Sequence, residues 1–416
     1  MTNTNNRKIC IFFLFLILYI YIYNPVFRLL HVSFLKPMLL VSFIYLYLKK
    51  RFCILTQYIK IETFFFYILF LFALITGGIL GHGNISFAYK HIQAFLETVF
   101  IGFVLSDIIR YLKIDILKII VILGFVASII TIYFLLHPSQ SVYLRTNVIT
   151  DSLVDIGYDA KIHMFRSFGI AEGLTSIYGV VQGFIAALCL LNLKKSYYYL
   201  IPVPFLVLSA FVNARTGVLV FLVSIPFFIF SLHKHWKAII GIIILIIICV
   251  FTISIINTDE ISRTFEWGLS LFEDIGNLLS GQKTGNFSYL FGDMLFVPDR
   301  NINFLFGTGE IAHNNAGNGS DISFVNQLFI GGFFYMLTIT LFCFYVSFLS
   351  KKITKSISFS FLVLGSLLLM DFKGMDPSFP NGLVRLIFLY LFSSNNNIEE
   401  THYVKRTSYF FRYALS

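Results

Sequence analysis

The chain alternates long, continuously apolar segments with short polar or basic breaks. The segments lie near 9–25, 34–48, 62–80, 92–109, 114–136, 174–193, 197–212, 216–232, 237–256, 323–349, 355–371 and 383–394. A helix crossing about 30 Å of hydrocarbon needs roughly 20 mostly apolar residues, and most of these segments approach that length. They are apolar throughout and lack the alternation of an outer-membrane barrel strand. The pattern therefore predicts an all-α polytopic integral membrane protein with about 12 transmembrane helices. The first is read as a retained helix: Arg7-Lys8 and the run Ile9–Tyr23 resemble a signal peptide, but no small-residue cleavage site follows.

The breaks set a predicted orientation. With the N-terminus in the cytoplasm, 19 of the 31 Lys and Arg residues fall on inner segments or inner span ends, among them Lys49, Lys50, Arg51, Lys118, Lys194, Lys195, Lys351 and Lys352. Both termini are then cytoplasmic, and the two long loops, 137–173 and 257–322, are periplasmic. Within the second, "SRTFEWGLSLFEDIGNLLS" puts Phe265, Leu269, Phe272, Ile275 and Leu279 on one helical face, with Glu266, Glu273, Asp274 and Asn277 opposite. This is the signature of an amphipathic helix lying on a membrane surface. No internal repeat divides the chain, so 1–416 reads as a single polytopic membrane domain.

Composition sharpens this picture. Hydrophobic residues make up 57% of the chain, charged residues 12%, and mean hydropathy is +0.82, more apolar surface than a water-soluble core absorbs. The net charge of +10 follows from the positive-inside bias and contact with anionic headgroups, with no nucleic-acid partner required. The five cysteines stand singly, which implies neither a disulfide framework nor a zinc site. No cofactor or metal motif is visible.

Candidate chemistry gathers on the predicted outer side. "HMFRSFGIAEGLTSIYG", residues 163–179, places Arg166 and Glu172 before a span. The guanidinium fork suits a phosphate-like anion, or simply anchors the helix; Glu172 is either a partner of Arg166 or a catalytic carboxylate. "SAFVNARTGVLVF", residues 209–221, sets Asn213, Arg215 and Thr216 in a turn between two spans, where an Arg needs a partner or a water-filled cavity. In 305–334, Gly307 and Gly309 allow a tight turn. His313 is a candidate general base or a loop residue, Asn314 and Asn315 suit sugar hydroxyls, and Asp321 or Ser320 can cap the next helix. "DFKGMDPSFPNGLVR", residues 371–385, returns Asp371, Lys373 and Asp376 to the outer face, with Lys373 either a further cation or a partner of Asp371. Glu62, Glu97 and Asp107 lie near predicted span ends and are assigned to interfacial solvation.

These motifs, in this order, resemble those of the O-antigen polymerase and ligase superfamily of bacterial inner-membrane glycosyltransferases. "RSFGIAEGLTSIYG" is similar to the family's Arg…Gly…Glu approach to a span and "NARTG" to its Ser/Asn-x-Arg-Thr/Gly turn. "SRTFEW", "FLFGTGE" and "SDISFVNQLFIGGFFY" resemble its Arg…Trp, Gly-x-Gly and Asp…Gly-Gly sequence, and "DFKG" resembles a late Lys-containing turn of the polymerases. The resemblance implies a GT-C-like fold and metal-independent, inverting transfer of a glycan from undecaprenyl diphosphate. Arg166, Arg215 and Arg263 would hold the diphosphate, although Arg300 shares the loop with Arg263. His313, Asp321 or Glu172 would serve catalysis, and Asn314, Asn315 and Lys373 the acceptor sugar. The implied partners are an undecaprenyl-diphosphate-linked oligosaccharide, membrane lipids, a chain-length regulator and a flippase. A polymerase is the expected activity; an O-antigen ligase and a lipid-linked oligosaccharide flippase are the alternatives.

Overall fold

Each predicted apolar segment that falls within the described residues is helical. The computed structural model describes residues 4–29, 32–80, 85–149, 169–171, 176–231, 301–312 and 319–395; between 232 and 300 it describes 240, 266, 268–270, 273, 274, 276, 277, 280 and 292–298. Among these residues, eleven helices have ten or more residues. They are α1 Thr4–Tyr23, α2 Leu35–Leu48, α3 Lys60–Ile75, α4 Ser86–Tyr111, α5 Ile116–Leu136, α6 Ser176–Leu191, α7 Val203–Asn213, α8 Arg215–Ser231, α9 Ser323–Thr354, α10 Ile357–Phe372 and α11 Gly382–Ser394. The predicted span at 237–256 lies outside the described residues except for the helical residue 240. Four stretches, Lys60–Ile79, Ser86–Tyr111, Ile116–Leu136 and Ser323–Thr354, are long and apolar enough to cross a membrane, and the others are shorter apolar helices.

Local chemistry explains where several helices begin. Asp115 accepts a hydrogen bond from the Leu117 amide (3.0 Å), Ser356 from Phe359 (3.2 Å) and Asn381 from Val384 (2.8 Å), so α5, α10 and α11 each start on a side-chain cap. A two-residue ladder, Val26–Phe27 antiparallel to Val32–Ser33, closes the turn between α1 and α2, and Phe27 also makes a single antiparallel bridge to Ile149.

Helices α6 and α11 form the centre. Residues Tyr178 to Leu190 and Gly382 to Phe392 are buried almost without interruption. Outer helices instead present apolar stripes outward. On α9, Phe334, Leu337, Leu341, Phe344 and Phe348 are exposed at three- and four-residue spacing, one face of a helix. An apolar face turned out of a folded chain is what a hydrocarbon solvent permits.

Three acids expected at solvated span ends are buried and partnered instead. Glu62 accepts from Tyr345 (2.8 Å), Asp107 meets Arg51 and Tyr45, and Glu97, near the middle of α4, meets Arg385 of α11. The helix containing Glu97 begins at Ser86, several residues before the predicted span start at 92, so Glu97 falls well inside it. Burial of a charge requires such partners, and the linear sequence did not supply them.

Candidate functional site

The C-terminal end of α1, the first half of α4 and the N-terminal ends of α6 and α11 enclose a cavity of about 350 Å3. Tyr23, Lys90, Gln93, Glu97, Tyr178, Asn381 and Arg385 supply its polar lining, and Ala171 closes it from the segment before α6. Arg385 donates from Nη1 to Glu97 Oε2 (3.0 Å) and from Nη2 to the Ile22 carbonyl (3.4 Å). Gln93 Nε2 donates to the second Glu97 oxygen (2.7 Å). Arg385 Nε is buried and meets no acceptor among the described residues, and a bound ligand or ion is one physical way to satisfy such a donor. Lys90 Nζ stands 5.0 Å from the Phe87 ring centre and 5.1 Å from that of Phe379, two electron-rich faces that hold the ammonium beside the cavity.

The wall of this cavity runs directly into the Arg215 turn. Tyr178 Oη donates to the Ala127 carbonyl (2.6 Å) and lies 2.9 Å from Thr131 Oγ1, which accepts from Ser209 (3.0 Å); Asn213 Nδ2 donates to the Ser209 carbonyl (2.8 Å). Gly179 faces Ala214, and a Cβ on Gly217 would collide with the Gly179 carbonyl. The α6 and α8 backbones thus touch, and Arg215 is held one helical layer from Tyr178. Arg215 donates from Nη1 to Ser270 Oγ (2.9 Å) and to Asp274 Oδ2 (3.3 Å). Residues 266, 268–270, 273, 274, 276 and 277 are helical, as the amphipathic pattern predicted. Asp274 is buried against Arg215 and Gly268 packs against the Phe211 ring, while Glu266, Leu269 and Glu273 are exposed, so among the described residues this segment meets the bundle through Gly268, Ser270 and Asp274.

The glycine motifs meet each other. Gly332 has φ +77° and interrupts α9, while Gly307 has φ +79° in the preceding turn. The amides of Thr308 and Gly309 donate to the Phe329 carbonyl (2.6 and 3.1 Å), one turn before the kink. A Cβ on Gly332 would overlap the Leu305 carbonyl, so the Gly-x-Gly and Gly-Gly pairs are explained by a close backbone crossing that only glycine permits. Ahead of α9, Ser320 Oγ accepts from the Ile322 amide (3.1 Å); Asp321 is exposed, and no side chain caps the helix from Ile322. Neither of the two predicted caps, Ser320 or Asp321, therefore caps α9: the Ser320 bond stops at the Ile322 amide, one residue before the helix begins.

Asp321 and the Lys373 turn are brought together, since the Asp321 carbonyl approaches Gly374. Lys373 is exposed, whereas Asp371 and Asp376 are buried and both accept from Gln327 Nε2 (2.7 and 3.2 Å). Asp376 Oδ1 also accepts from the Ser378 amide (2.7 Å) and hydroxyl (2.6 Å). Its carboxyl is pushed above the ordinary value by desolvation, opposed by the bonds from Ser378 and Gln327 and by the charge of Lys90. Both acids lie at the α10–α11 junction, between the last two predicted spans, and fold inward there as acceptors that pin this turn to α9. Ser378 continues the link, its carbonyl 3.4 Å from His91 Nδ1, and His91 Nε2 lies 2.7 Å from Tyr335 Oη.

Of the sequence-predicted site residues, Arg215, Asp321 and Lys373 are described. Arg166, Glu172, Arg263, His313, Asn314 and Asn315 lie outside the described residues. Sequence reasoning missed Lys90, Gln93 and Arg385. Arg385 carried a readable signal, an Arg inside the apolar run "GLVRLIFLYLF", where ionisable side chains mark sites by default. Among the described residues no group of three or more His, Cys, Asp or Glu is placed to hold a metal ion. Neither a protein-family model, nor a curated protein sequence, nor a solved structure matches the chain significantly.

Proposed function

We propose that the chain is an O-antigen polymerase: a multi-pass glycosyltransferase of the bacterial inner membrane with about 12 spans, a GT-C-like architecture and both termini in the cytoplasm. It transfers a glycan from undecaprenyl diphosphate to the non-reducing end of another lipid-linked repeat unit at the periplasmic face. The observation that carries this reading is the polar cavity of about 350 Å3 between apolar helices, with Lys90 and Arg385 in its lining and Arg215 packed behind its Tyr178 wall. A substrate that is lipidic in the membrane, anionic at its diphosphate and hydroxyl-rich beyond it matches such a site.

In this mechanism Arg215 stabilises the departing diphosphate. Its planar fork is preorganised by Ser270 and Asp274, and charge-assisted hydrogen bonds count most where charge develops in the transition state. Lys90, Gln93 and Asn381, all at the cavity, supply donors and acceptors for sugar hydroxyls. The acceptor hydroxyl attacks the anomeric carbon from the face opposite the diphosphate, the C–O bond to phosphate breaks, and the hydroxyl proton passes to a base of the outer loops, for which His313 and Glu172 remain the assigned candidates.

The test is the glycan profile of cells carrying Arg215→Ala in place of the native chain. A polymerase defect gives lipopolysaccharide capped with a single repeat unit, because export and ligation continue. Long chains stranded on undecaprenyl diphosphate would instead identify a ligase, and the absence of exported repeats a flippase.

A further inference from the structure

We infer that the end of the bundle opposite the Lys90 cavity holds a specific site for one anionic phospholipid. Helix α6 runs from Ser176, beside the cavity, to Leu191, about 22 Å away at 1.5 Å per residue. Just beyond Leu191, the start of α5 and the 195–202 segment enclose a groove of about 590 Å3. Lys118, Lys195 and Tyr198 stand at its mouth, and Ile122, Phe125 and Ile201 line its wall.

Three observations select the occupant. Both lysines are exposed, while the one acid of the groove, Asp115, is engaged by the Leu117 amide as the α5 cap; the mouth is therefore net basic and suits a phosphodiester. Ile122 and Ile201 are more than half exposed and Tyr198 is 80% exposed, so the wall offers apolar surface below an amphipathic tyrosine, the order of groups found where headgroups meet acyl chains. The groove also has the depth of one leaflet. From Asp115 to Phe125 α5 rises about 15 Å, half of a hydrocarbon core of about 30 Å. A second copy of this chain would have to present an acidic group above an apolar ridge, whereas a phospholipid carries both in the right order. The site needs the chain to be membrane-embedded but does not depend on glycan transfer.

The full-length protein in detergent, titrated with phosphatidylglycerol or phosphatidylcholine and read by native mass spectrometry, tests this. One phosphatidylglycerol should be retained in preference to phosphatidylcholine. Lys118→Ala and Lys195→Ala should each weaken retention about fivefold, the equivalent of about 1 kcal/mol per basic residue at a membrane surface. Lys113→Ala, an exposed lysine at the same end but outside the groove, should leave retention unchanged. Ile122→Trp, which fills the wall and keeps both lysines, should displace the lipid and separates a filled groove from a misfolded lysine variant. Equal retention of both lipids, equal loss with Lys113→Ala, or a dimer that covers the groove would overturn the proposal.

Discussion

Two arginine–carboxylate pairs sit at the same end of the bundle and differ in what surrounds them. Arg385 and Glu97 are 3% and 6% exposed, both belong to membrane-length or buried helices of the bundle, and Gln93 and the Ile22 carbonyl add further hydrogen bonds to the pair. Arg215 is 20% exposed, and its partner Asp274 comes from the loop between α8 and α9. Removing a charge from water costs several kcal/mol per ion, so the first pair is bound to its geometry: separating it leaves a charge in an apolar core. The second can exchange a carboxylate for another anion at far smaller cost. The comparison assigns different tasks to two residues of identical chemistry. Arg385 fixes the cavity wall, and under the proposed function Arg215 is the cation that turns to the diphosphate.

The largest effect should come from the enclosed pair. Arg385→Ala strands Glu97 among buried side chains and should cost about 3–5 kcal/mol, enough to remove most folded protein. The yield of monodisperse protein after heating in detergent measures it. Replacing both charges, Glu97→Gln with Arg385→Met, should restore most of that yield, since neither partner is then left ionised. Normal stability of Arg385→Ala would break the comparison at its stronger end.

The sequence showed this pair only by halves. Continuous apolar runs made the helices legible because hydrocarbon burial acts on each segment separately, and the eleven described helices fall where those runs lie. Gly307 and Gly309 were legible as a turn because the left-handed backbone favours glycine, and both have positive φ. Glu97 and Arg385 are 288 residues apart, and periodicity carries no information about which helices become neighbours. The reading of Glu97 as an interfacial acid failed for that reason. The place of Asp376 between the last two spans was legible, but its partners were not: Ser378 and Gln327 supply the donors that draw it inward. Arg215 was legible as a candidate because an Arg in a short inter-helix turn demands a partner, although the identity of that partner, Asp274, was not.

Next in size is Arg215→Ala. Each charge-assisted bond lost from the leaving diphosphate is worth on the order of 1.5–3 kcal/mol, so transfer should fall more than tenfold. Thermal stability should change by only about 1 kcal/mol, the usual limit for a partly exposed ion pair. Lys at 215 should rescue poorly because a point charge does not reproduce the fork. In vitro elongation of a lipid-linked repeat, measured beside melting in detergent, separates the two quantities. A stability loss matching that of Arg385→Ala would merge the two pairs into one structural class.

The smallest effect, and the one with the most informative sign, belongs to Asp274→Asn. Asparagine retains an acceptor for Arg215 but removes the negative charge that competes with a diphosphate for the same guanidinium. If Arg215 exchanges partners during turnover, this variant should bind the lipid-linked donor more tightly, lowering KM about two- to fivefold, since a pair whose arginine is partly exposed is worth about 1 kcal/mol. The turnover number should move less, because Ser270 still orients the fork. Asp274→Asn and Arg215→Ala would then shift donor use in opposite directions although they break the same contact. A loss of transfer from Asp274→Asn comparable to that from Arg215→Ala would instead make the ion pair itself the working unit. Arg215 would then need its carboxylate as firmly as Arg385 needs Glu97, and the loop would act as a structural brace for the cavity wall.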